Sequence, residues 1–340
     1  AVLFYRAFGT GDLAALAAAG SAALENGAVP NGVGPAAMLV VLAAALKSAM
    51  FPFHGWLLEV METPTPVSAL LHAGLLNAGT FLVVRLGEVM FLYTPALQVL
   101  MIVGGFTAIF ASVAMILQTS VKVSLAYSSA AHMGFMLMLC GFGAHSVAIM
   151  HLVAHSFYKA HAFLSSGSIL DYIRELGGQE IKEAPRPFAV LLSLVGAAAV
   201  FVAIGTALGL DLTKRPGETA LGVIFVMAIT HLLMKGLSGQ TRGYVIGRTF
   251  LTATAVTLAF FALELSGAWI LGDAVAIFPP PDAPTLVVMV VMVVAFALVI
   301  FLQAMLPALA KKPAWRVAYV HLKNGLYANT FFDRVIGALR

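Results

Sequence analysis

The chain has 340 residues, of which 61% are hydrophobic and only 10% are charged. Soluble domains normally carry about 25% charged residues, so this composition excludes a water-soluble globular protein. The formal net charge of +4 does not indicate nucleic-acid binding, because the basic residues stand singly between apolar runs and form no patch with interleaved aromatics.

Nine apolar runs are long enough to cross a membrane as helices, which takes roughly 20 residues. They cover residues 33–50, 66–86, 96–117, 123–143, 145–170, 188–210, 219–239, 247–271 and 285–306. The alternating pattern of a membrane β-barrel is missing, so the sequence predicts an all-α integral membrane protein, a bundle of about nine transmembrane helices. We expect residues 1–310 to form this transmembrane domain.

The Lys and Arg residues near the ends of the runs predict the orientation in the membrane. Nine of them, from Lys122 to Arg316, lie on one side, and four, from Arg6 to Arg215, lie on the other. By the positive-inside rule the first side is cytoplasmic, and the C-terminus lies on that side. Because the first residues look like the end of an earlier helix, we expect the sequence to be the later part of a longer protein.

Residues 311–340 are predicted to form a tail on the cytoplasmic side. Trp315, Tyr319 and Phe331 alternate there with basic residues, a pattern typical of an amphipathic helix in the membrane interface. A docking surface for a partner is the alternative interpretation.

The first apolar run contains Pro52 but continues as an apolar half-helix to about Met61. A broken helix of about 28 residues is roughly 42 Å long at 1.5 Å per residue, which places Lys47 near the middle of the membrane. Proline lacks the backbone N–H and clashes with the preceding turn, so it breaks the helix. Broken helices beside a charge often form ion sites. The alternative is a lysine that extends to the interface from the end of a span.

The fifth run places three titratable residues on one helix face, because His151, His155 and Lys159 follow one another at intervals of four. A charge at bilayer depth costs about 3 kcal/mol on insertion scales, so such residues need a partner or a function. Imidazole changes its charge near neutral pH. The stripe therefore predicts a proton relay, and we expect this helix to break at Ser165–Gly167.

The sequence leaves other interpretations of these residues open. The spacing of His151 and His155 also suits a metal site, although the Glu of a zincin motif and a nearby acidic ligand are missing. His72, six residues after Pro66 in the second run, belongs to the ion path or is a hydrogen-bonded core residue.

Three further runs carry weaker candidates. His231 and Lys235 repeat the spacing of four, and Lys235 lies close enough to a glycine-containing end to extend to the interface instead. Glu264 is an isolated acid and a candidate counter-charge. His132 is a less convincing candidate, with the interfacial Lys122 ten residues earlier in the same run.

Three blocks resemble the proton-conducting antiporter family, which includes the antiporter-like subunits of respiratory complex I and of multisubunit Na⁺/H⁺ antiporters. They occur in the family's order within residues 40–175: KSAMFPFHGWLLEVMETPTPVSALLHAGLLNAGTFLVVRL, KVSLAYSSAAHMGFM and HLVAHSFYKAHAFLSSGSI. The resemblance implies the family's antiporter-like fold, with its N-terminal helices missing here. It assigns the central lysine of the first broken helix to Lys47 and the histidine of the next helix to His72. The second broken helix supplies His151, His155 and Lys159. The acid that pairs with the first lysine in relatives lies on an earlier helix, which this sequence does not contain.

One departure from the family concerns the later broken helix, which usually carries charged residues. The run 188–210 has no charge, and His231 and Lys235 are expected to substitute. The segments SFYKAHAFLSSGS and YVHLKNGLYANTFFDR resemble instead the membrane subunit (DabB-type) of the DAB-type inorganic-carbon accumulation complexes.

This second resemblance implies a subunit of the bacterial inner membrane that conducts protons or Na⁺. It implies a large peripheral zinc-binding partner (DabA-type), related to β-carbonic anhydrases, that converts CO₂ to bicarbonate. The chain itself is then not an enzyme and holds no cofactor or metal. One alternative is a pump or antiporter subunit of an assembly like complex I or the multisubunit Na⁺/H⁺ antiporters. Another, from a different class, is a membrane enzyme with a histidine-ligated metal.

Overall fold

A computed structural model describes residues 1–167, 187–210, 216–237, 243–275, 279–309 and 313–338. The chain divides into two compact units. The first unit comprises Ala1–Gly178, Leu271–Val288 and Val317–Arg340, and the second comprises Gln179–Ile270 and Met289–Arg316. The polar segment between the fifth and sixth predicted runs lies almost wholly outside the described residues.

Sixteen α-helices are described, and we number them in chain order. The first eight are α1 (Val2–Phe8), α2 (Leu13–Glu25), α3 (Val33–Lys47), α4 (Gly55–Glu59), α5 (Thr65–Ala73), α6 (Ala78–Arg85), α7 (Gly87–Met90) and α8 (Thr94–Ile116). The others are α9 (Val121–Gly141), α10 (His145–Leu164), α11 (Pro187–Ala207), α12 (Pro216–Leu237), α13 (Gly243–Leu271), α14 (Ala283–Leu309), α15 (Pro313–Lys323) and α16 (Ala328–Ala338).

The helices confirm the predicted all-α membrane protein, although the count of nine spans is approximate. Among the described residues, seven helices are long and apolar enough to cross a membrane, with α5 and α6 counted as one. The count is eight if α1 and α2, which are bent by 56°, form one span. Each predicted run contains helix within its described residues, but α3 has only 15 residues and the polar residues of α10 reduce its hydropathy.

The predicted break at Pro52 is confirmed. Helix α3 ends at Lys47, and the next helix begins only at Gly55. The intervening backbone is held by neighbours, because Met50 N–H donates to the Ala45 carbonyl at 2.9 Å and Phe51 N–H donates to Thr107 Oγ1 of α8 at 3.0 Å. At the second predicted break, α10 ends at Leu164, and the residues after 167 lie outside the described ranges.

The second run contains a break that the sequence analysis did not predict. Helix α5 ends at Ala73, and a short 3₁₀ turn at Leu75–Asn77 separates it from α6. This break packs directly against the end of α3, where Ser48 Oγ donates to the Leu76 carbonyl at 2.8 Å. Gly79 permits the contact, because a Cβ atom there would lie 2.6 Å from the Ala44 carbonyl oxygen.

Helices α8 and α9 form the closest pair in the first unit. A Cβ atom at Gly104 would lie 2.6 Å from the Gly134 carbonyl oxygen, and the reverse distance is also 2.6 Å. Small residues at such crossings let two backbones approach and pack without a hydrophobic driving force. This pair positions α9 beside α10, which packs against both α5 and α9.

The start of α14 is tied to the start of α8 within the first unit. Asp282 caps α14, because its carboxylate accepts the Thr285 N–H at 3.0 Å and the Thr94 hydroxyl at 3.2 Å. The hydrogen bonds from Thr285, together with that from Thr94, lower the pKa of the exposed Asp282 carboxyl from its usual value. The carboxylate therefore supports this contact fully above its ordinary pKa, and the support is lost as the pH falls through the lowered pKa of the folded state.

Candidate functional site

The buried face of α10 carries the residues of the predicted stripe. His155 and Lys159 are both buried, and Lys159 is completely inaccessible. His151, one turn earlier, is partly buried. Because α10 packs against α5 and α9, this face points into the first unit and away from lipid.

His132 of α9 lies in the middle of the stripe. Its Nδ1 atom is 3.1 Å from Nε2 of His151, which is a hydrogen-bond distance. Either ring can be the donor, depending on its tautomer. Its ring centroid also lies 5.1 Å from that of His155. His132 therefore joins two residues of the predicted relay. The sequence indicates this role only weakly, because a contact between two helices is not encoded in the spacing of either one.

Lys159 closes the cluster at the end nearest the start of α9. Its Nζ donates to the Leu125 carbonyl at 3.1 Å, which also accepts the Ser129 hydroxyl at 3.1 Å. Within the described part of the chain Lys159 forms no ion pair. A buried ammonium without a counter-ion is costly, so a lysine at this position needs a function.

His72 of α5 belongs to the same cluster. Its ring is fully buried and stacks on Phe163 with centroids 4.3 Å apart. Neither ring nitrogen of His72 or His155 has a hydrogen-bond partner among the described residues. Buried polar groups normally have one, so these nitrogens are free to accept a proton or a water molecule.

The residues of the cluster also interact electrostatically. The positive charge of Lys159 acts on His72, His132 and His155. Like charges close together in a protein interior disfavour each other, so protonation of one group opposes protonation of its neighbours. A proton that arrives at one group therefore favours release from another, which is the property a relay needs.

The turn before α6 is hydrogen-bonded to two neighbouring elements. Asn77, in the break before α6, donates from Nδ2 to Ser156 Oγ of α10 at 2.8 Å and to the Ala73 carbonyl at 2.7 Å. The neighbouring Leu76 carbonyl accepts the hydrogen bond from Ser48, the residue after Lys47. The end of α3 and helix α10 are thus both hydrogen-bonded to the short turn before α6.

Lys47 itself lines a separate cavity. It is exposed at the end of α3 and lines a cavity of about 1010 Å³ between α1, α2, α3 and α6. Arg85, at the end of α6, lines the same cavity, whose other walls are mainly apolar. The structure therefore brings His72, His155 and Lys159 together and gives Lys47 a separate space.

The remaining predicted residues lie in the second unit. His231 is half-buried in α12, and Glu264 is half-buried in α13. Lys235 follows His231 in the same helix, but its side chain is outside the described ones. The second unit is packed around apolar residues: Ala197, Ile229, Leu233 and Ala253.

The metal alternative has no support from the side-chain geometry. Among the described residues, no group of three or more His, Cys, Asp or Glu side chains is arranged to hold a metal ion. The single cysteine, Cys140, is buried in α9.

Comparison with known proteins identifies similar sequences. Residues 1–182 match the family described as NADH:quinone oxidoreductase/Mrp antiporter, TM. The chain is 38% identical over 306 residues to the probable inorganic carbon transporter subunit DabB2 of Halothiobacillus neapolitanus, covering 88% of this chain and 54% of that protein. It is 39% identical over 233 residues to the probable inorganic carbon transporter subunit DabB of Hydrogenovibrio crunogenus, covering 68% of this chain and 43% of that protein.

A third relative is similar over a shorter stretch of the chain. NADH-quinone oxidoreductase subunit L of Rickettsia bellii is 44% identical over 142 residues, which cover 41% of this chain and 22% of that protein. The chain thus spans about half the length, or less, of the curated relatives it matches.

Proposed function

The chain belongs to the NADH:quinone oxidoreductase/Mrp antiporter transmembrane family, and we propose that it conducts protons or Na⁺ as the membrane subunit of an inorganic-carbon transporter. The cation flux would drive hydration of CO₂ to bicarbonate on a peripheral zinc-binding partner, and this chain would supply the path without a catalytic centre of its own. We place it in a bacterial inner membrane with its C-terminus in the cytoplasm, as the positive-inside rule favours.

The observation that carries the proposal is the buried cluster around Lys159. Within the described residues it combines a lysine without an ion pair and two imidazoles, those of His72 and His155, whose nitrogens have no hydrogen-bond partner. Among the residues that the structure describes, no group is arranged to hold a metal ion, and a purely structural role leaves the unpartnered nitrogens of His72 and His155 unexplained. Proton transfer uses both features, because each group can take up and release a proton.

The geometry favours a particular order of transfer. Lys159 holds its ammonium against the Leu125 carbonyl, and loss of a proton from Nζ removes one charge from the cluster. His155 lies next along α10, and the ring of His132 stands beside it. His132 then passes a proton from its Nδ1 to Nε2 of His151, which lies 3.1 Å away. If Na⁺ is the coupled ion, the same residues keep the same roles.

Proton flux through the purified full-length complex in liposomes tests the proposal. We expect Lys159→Ala to reduce flux at least tenfold with normal assembly, because the cluster loses its terminal charge. Lys122→Ala is the matched control, since Lys122 also donates to a backbone carbonyl, that of Thr63 at 3.2 Å, but lies at the start of α9. Full flux in an assembled Lys159→Ala complex would contradict the proposal.

The partner is tested separately, by mass spectrometry of the complex purified through this subunit in a mild detergent. A large zinc-binding protein in the complex would support the inorganic-carbon role. The second candidate, a subunit of a respiratory or antiporter assembly, is favoured by the 44% identity to an NADH-quinone oxidoreductase subunit. Redox or antiporter subunits in the purified complex would favour that candidate.

A further inference from the structure

Asn77 is a buried amide that joins two helices of the first unit. It is 7% exposed and lies in the turn between α5 and α6. Its Nδ2 atom donates to Ser156 Oγ of α10 at 2.8 Å and to the Ala73 carbonyl, at the end of α5, at 2.7 Å. Among the described residues, the bond to Ser156 is the only hydrogen bond between residues 65–85 and α10.

The groups around this amide determine how it lies. Ser156 donates its one hydroxyl hydrogen to the Leu152 carbonyl at 2.9 Å, so its oxygen is left to accept a hydrogen bond from Asn77. The Ala73 carbonyl is also an acceptor. The two hydrogens of one amide nitrogen match these two acceptors, whereas the reversed amide would place its oxygen against both.

The two acceptors are chain neighbours of two histidines in the cluster. Ala73 directly follows His72, and Ser156 directly follows His155. One nitrogen atom of Asn77 therefore connects the peptide after His72 on α5 with the side chain after His155 on α10.

The rings of His72 and His155 depend on this connection because they have no hydrogen bonds of their own. Neither nitrogen of either ring has a partner among the described residues. Only the stack on Phe163, with centroids 4.3 Å apart, contacts the ring of His72 face to face. The positions of both rings thus follow from the backbones of α5 and α10, which Asn77 holds together.

A purely local role does not account for Asn77. Its bond to the Ala73 carbonyl would by itself satisfy a carbonyl that the end of α5 leaves free. The second bond reaches a residue 79 positions further along the chain. Hydrogen bonds between membrane helices contribute only modestly to stability, so the register that this bond imposes on α5 and α10 is its main effect.

Proton transfer is sensitive to that register. The proton donor and acceptor must lie within hydrogen-bond reach, and a misplacement of about 1 Å can lower a rate by about a hundredfold. Lys159 lies three residues beyond Ser156 on the same helix. A shift of α10 against α5 would therefore change the distances from His72 to both His155 and Lys159.

We propose that Asn77 is a positioning residue for proton transfer, which holds His72 on α5 in register with His155 and Lys159 on α10 through its hydrogen bond to Ser156. This inference rests on the proposed function and deepens it, because it names the contact that aligns two helices of the cluster. Asn77 carries no proton itself, since its amide has no titratable group.

The test measures proton flux of the full-length complex in liposomes and its melting temperature. Asn77→Ala removes both bonds, and Ser156→Ala removes only the bond between the helices. We expect both variants to assemble with little change in melting temperature and to conduct at least about fivefold less than the wild type. Ser112→Ala is the matched control, because Ser112 is also half-buried and donates to a carbonyl of its own helix, that of Ala108 at 2.6 Å. That control should conduct like the wild type.

Two further variants separate positioning from packing. Ser156→Thr keeps an oxygen that accepts from Asn77, so we expect it to recover at least about half of the wild-type flux. The double variant Asn77→Ala/Ser156→Ala should conduct no less than Asn77→Ala alone, because both replacements remove the same bond.

Wild-type flux in an assembled Ser156→Ala complex would overturn the proposal, and so would losses that multiply in the double variant. Ser156→Ala decides alone if Asn77→Ala does not assemble. If Lys159→Ala abolishes flux while Ser156→Ala retains it, only the positioning role is wrong. If the wild type conducts no protons, the proposed function itself fails.

Discussion

At the scale of single residues, His132 is the member of the cluster with the most contacts to other imidazoles. Its Nδ1 lies 3.1 Å from His151, and its ring stands 5.1 Å from that of His155. Because α10 alone separates His151 and His155 by a full turn, a ring from another helix shortens the distance over which a proton must move. His132 is therefore expected to matter as much as the residues of the stripe.

Replacement of His132 tests this expectation. We predict that His132→Gln, which retains polarity but cannot carry a net proton, assembles normally and lowers proton flux at least tenfold. His161→Gln makes the same change at an exposed histidine of α10 and should leave flux unchanged. Both are measured in liposomes with a pH-sensitive dye, and equal flux in the two variants would argue against a role for His132.

At the scale of elements, the position of His132 depends on how closely α9 approaches α8. A Cβ atom at Gly134 would lie 2.6 Å from the Gly104 carbonyl oxygen and 2.7 Å from Ala108 N, and both atoms belong to backbone. Backbone cannot move aside without shifting a whole helix. The glycine pair thus determines the distance between α8 and α9.

Gly134→Leu is predicted to separate these two helices. Overpacking of a close contact costs about 1–3 kcal/mol, so we expect a lower melting temperature and less assembled protein. Gly247→Leu in α13 is the control, because a Cβ atom there meets nothing within 4 Å. Thermal unfolding followed by size-exclusion chromatography measures both variants, and indistinguishable melting curves would contradict the prediction.

At the scale of the whole molecule, the C-terminal segment returns to the first unit. Gln118 donates from Nε2 to the Lys323 carbonyl at 3.2 Å, although 205 residues separate the two. Gly325 follows in a buried turn with φ of +61°, and a Cβ atom there would lie 2.7 Å from the Tyr127 hydroxyl. Tyr127 is two residues beyond Leu125, so the segment is attached close to the Lys159 end of the cluster.

Gly325→Val is predicted to detach this segment, because it adds a side chain against Tyr127 and disfavours the positive φ angle. Hydrogen exchange of residues 313–338 in the full complex should then become at least tenfold faster. Gly337→Val lies in the same segment, has nothing within 4 Å of the added Cβ, and should leave exchange unchanged. Equal exchange in both variants would show that the turn does not hold the segment.

Several properties followed from the sequence by itself. Apolar runs of membrane length determined the all-α membrane fold, because a backbone in lipid must satisfy its own hydrogen bonds. Pro52 determined the first helix break through its missing N–H. The interval of four placed His151, His155 and Lys159 on one face, since local periodicity needs no knowledge of neighbours.

Only the tertiary structure decided which residues meet. The contact of His132 with His151 depends on the packing of α9 beside α10, and the break before α6 has no proline in its sequence to mark it. Lys47 lines a cavity of its own, while the next residue, Ser48, is hydrogen-bonded to that second break. Such contacts arise from the rotation and depth of one helix against another, which the periodicity of a single helix does not encode.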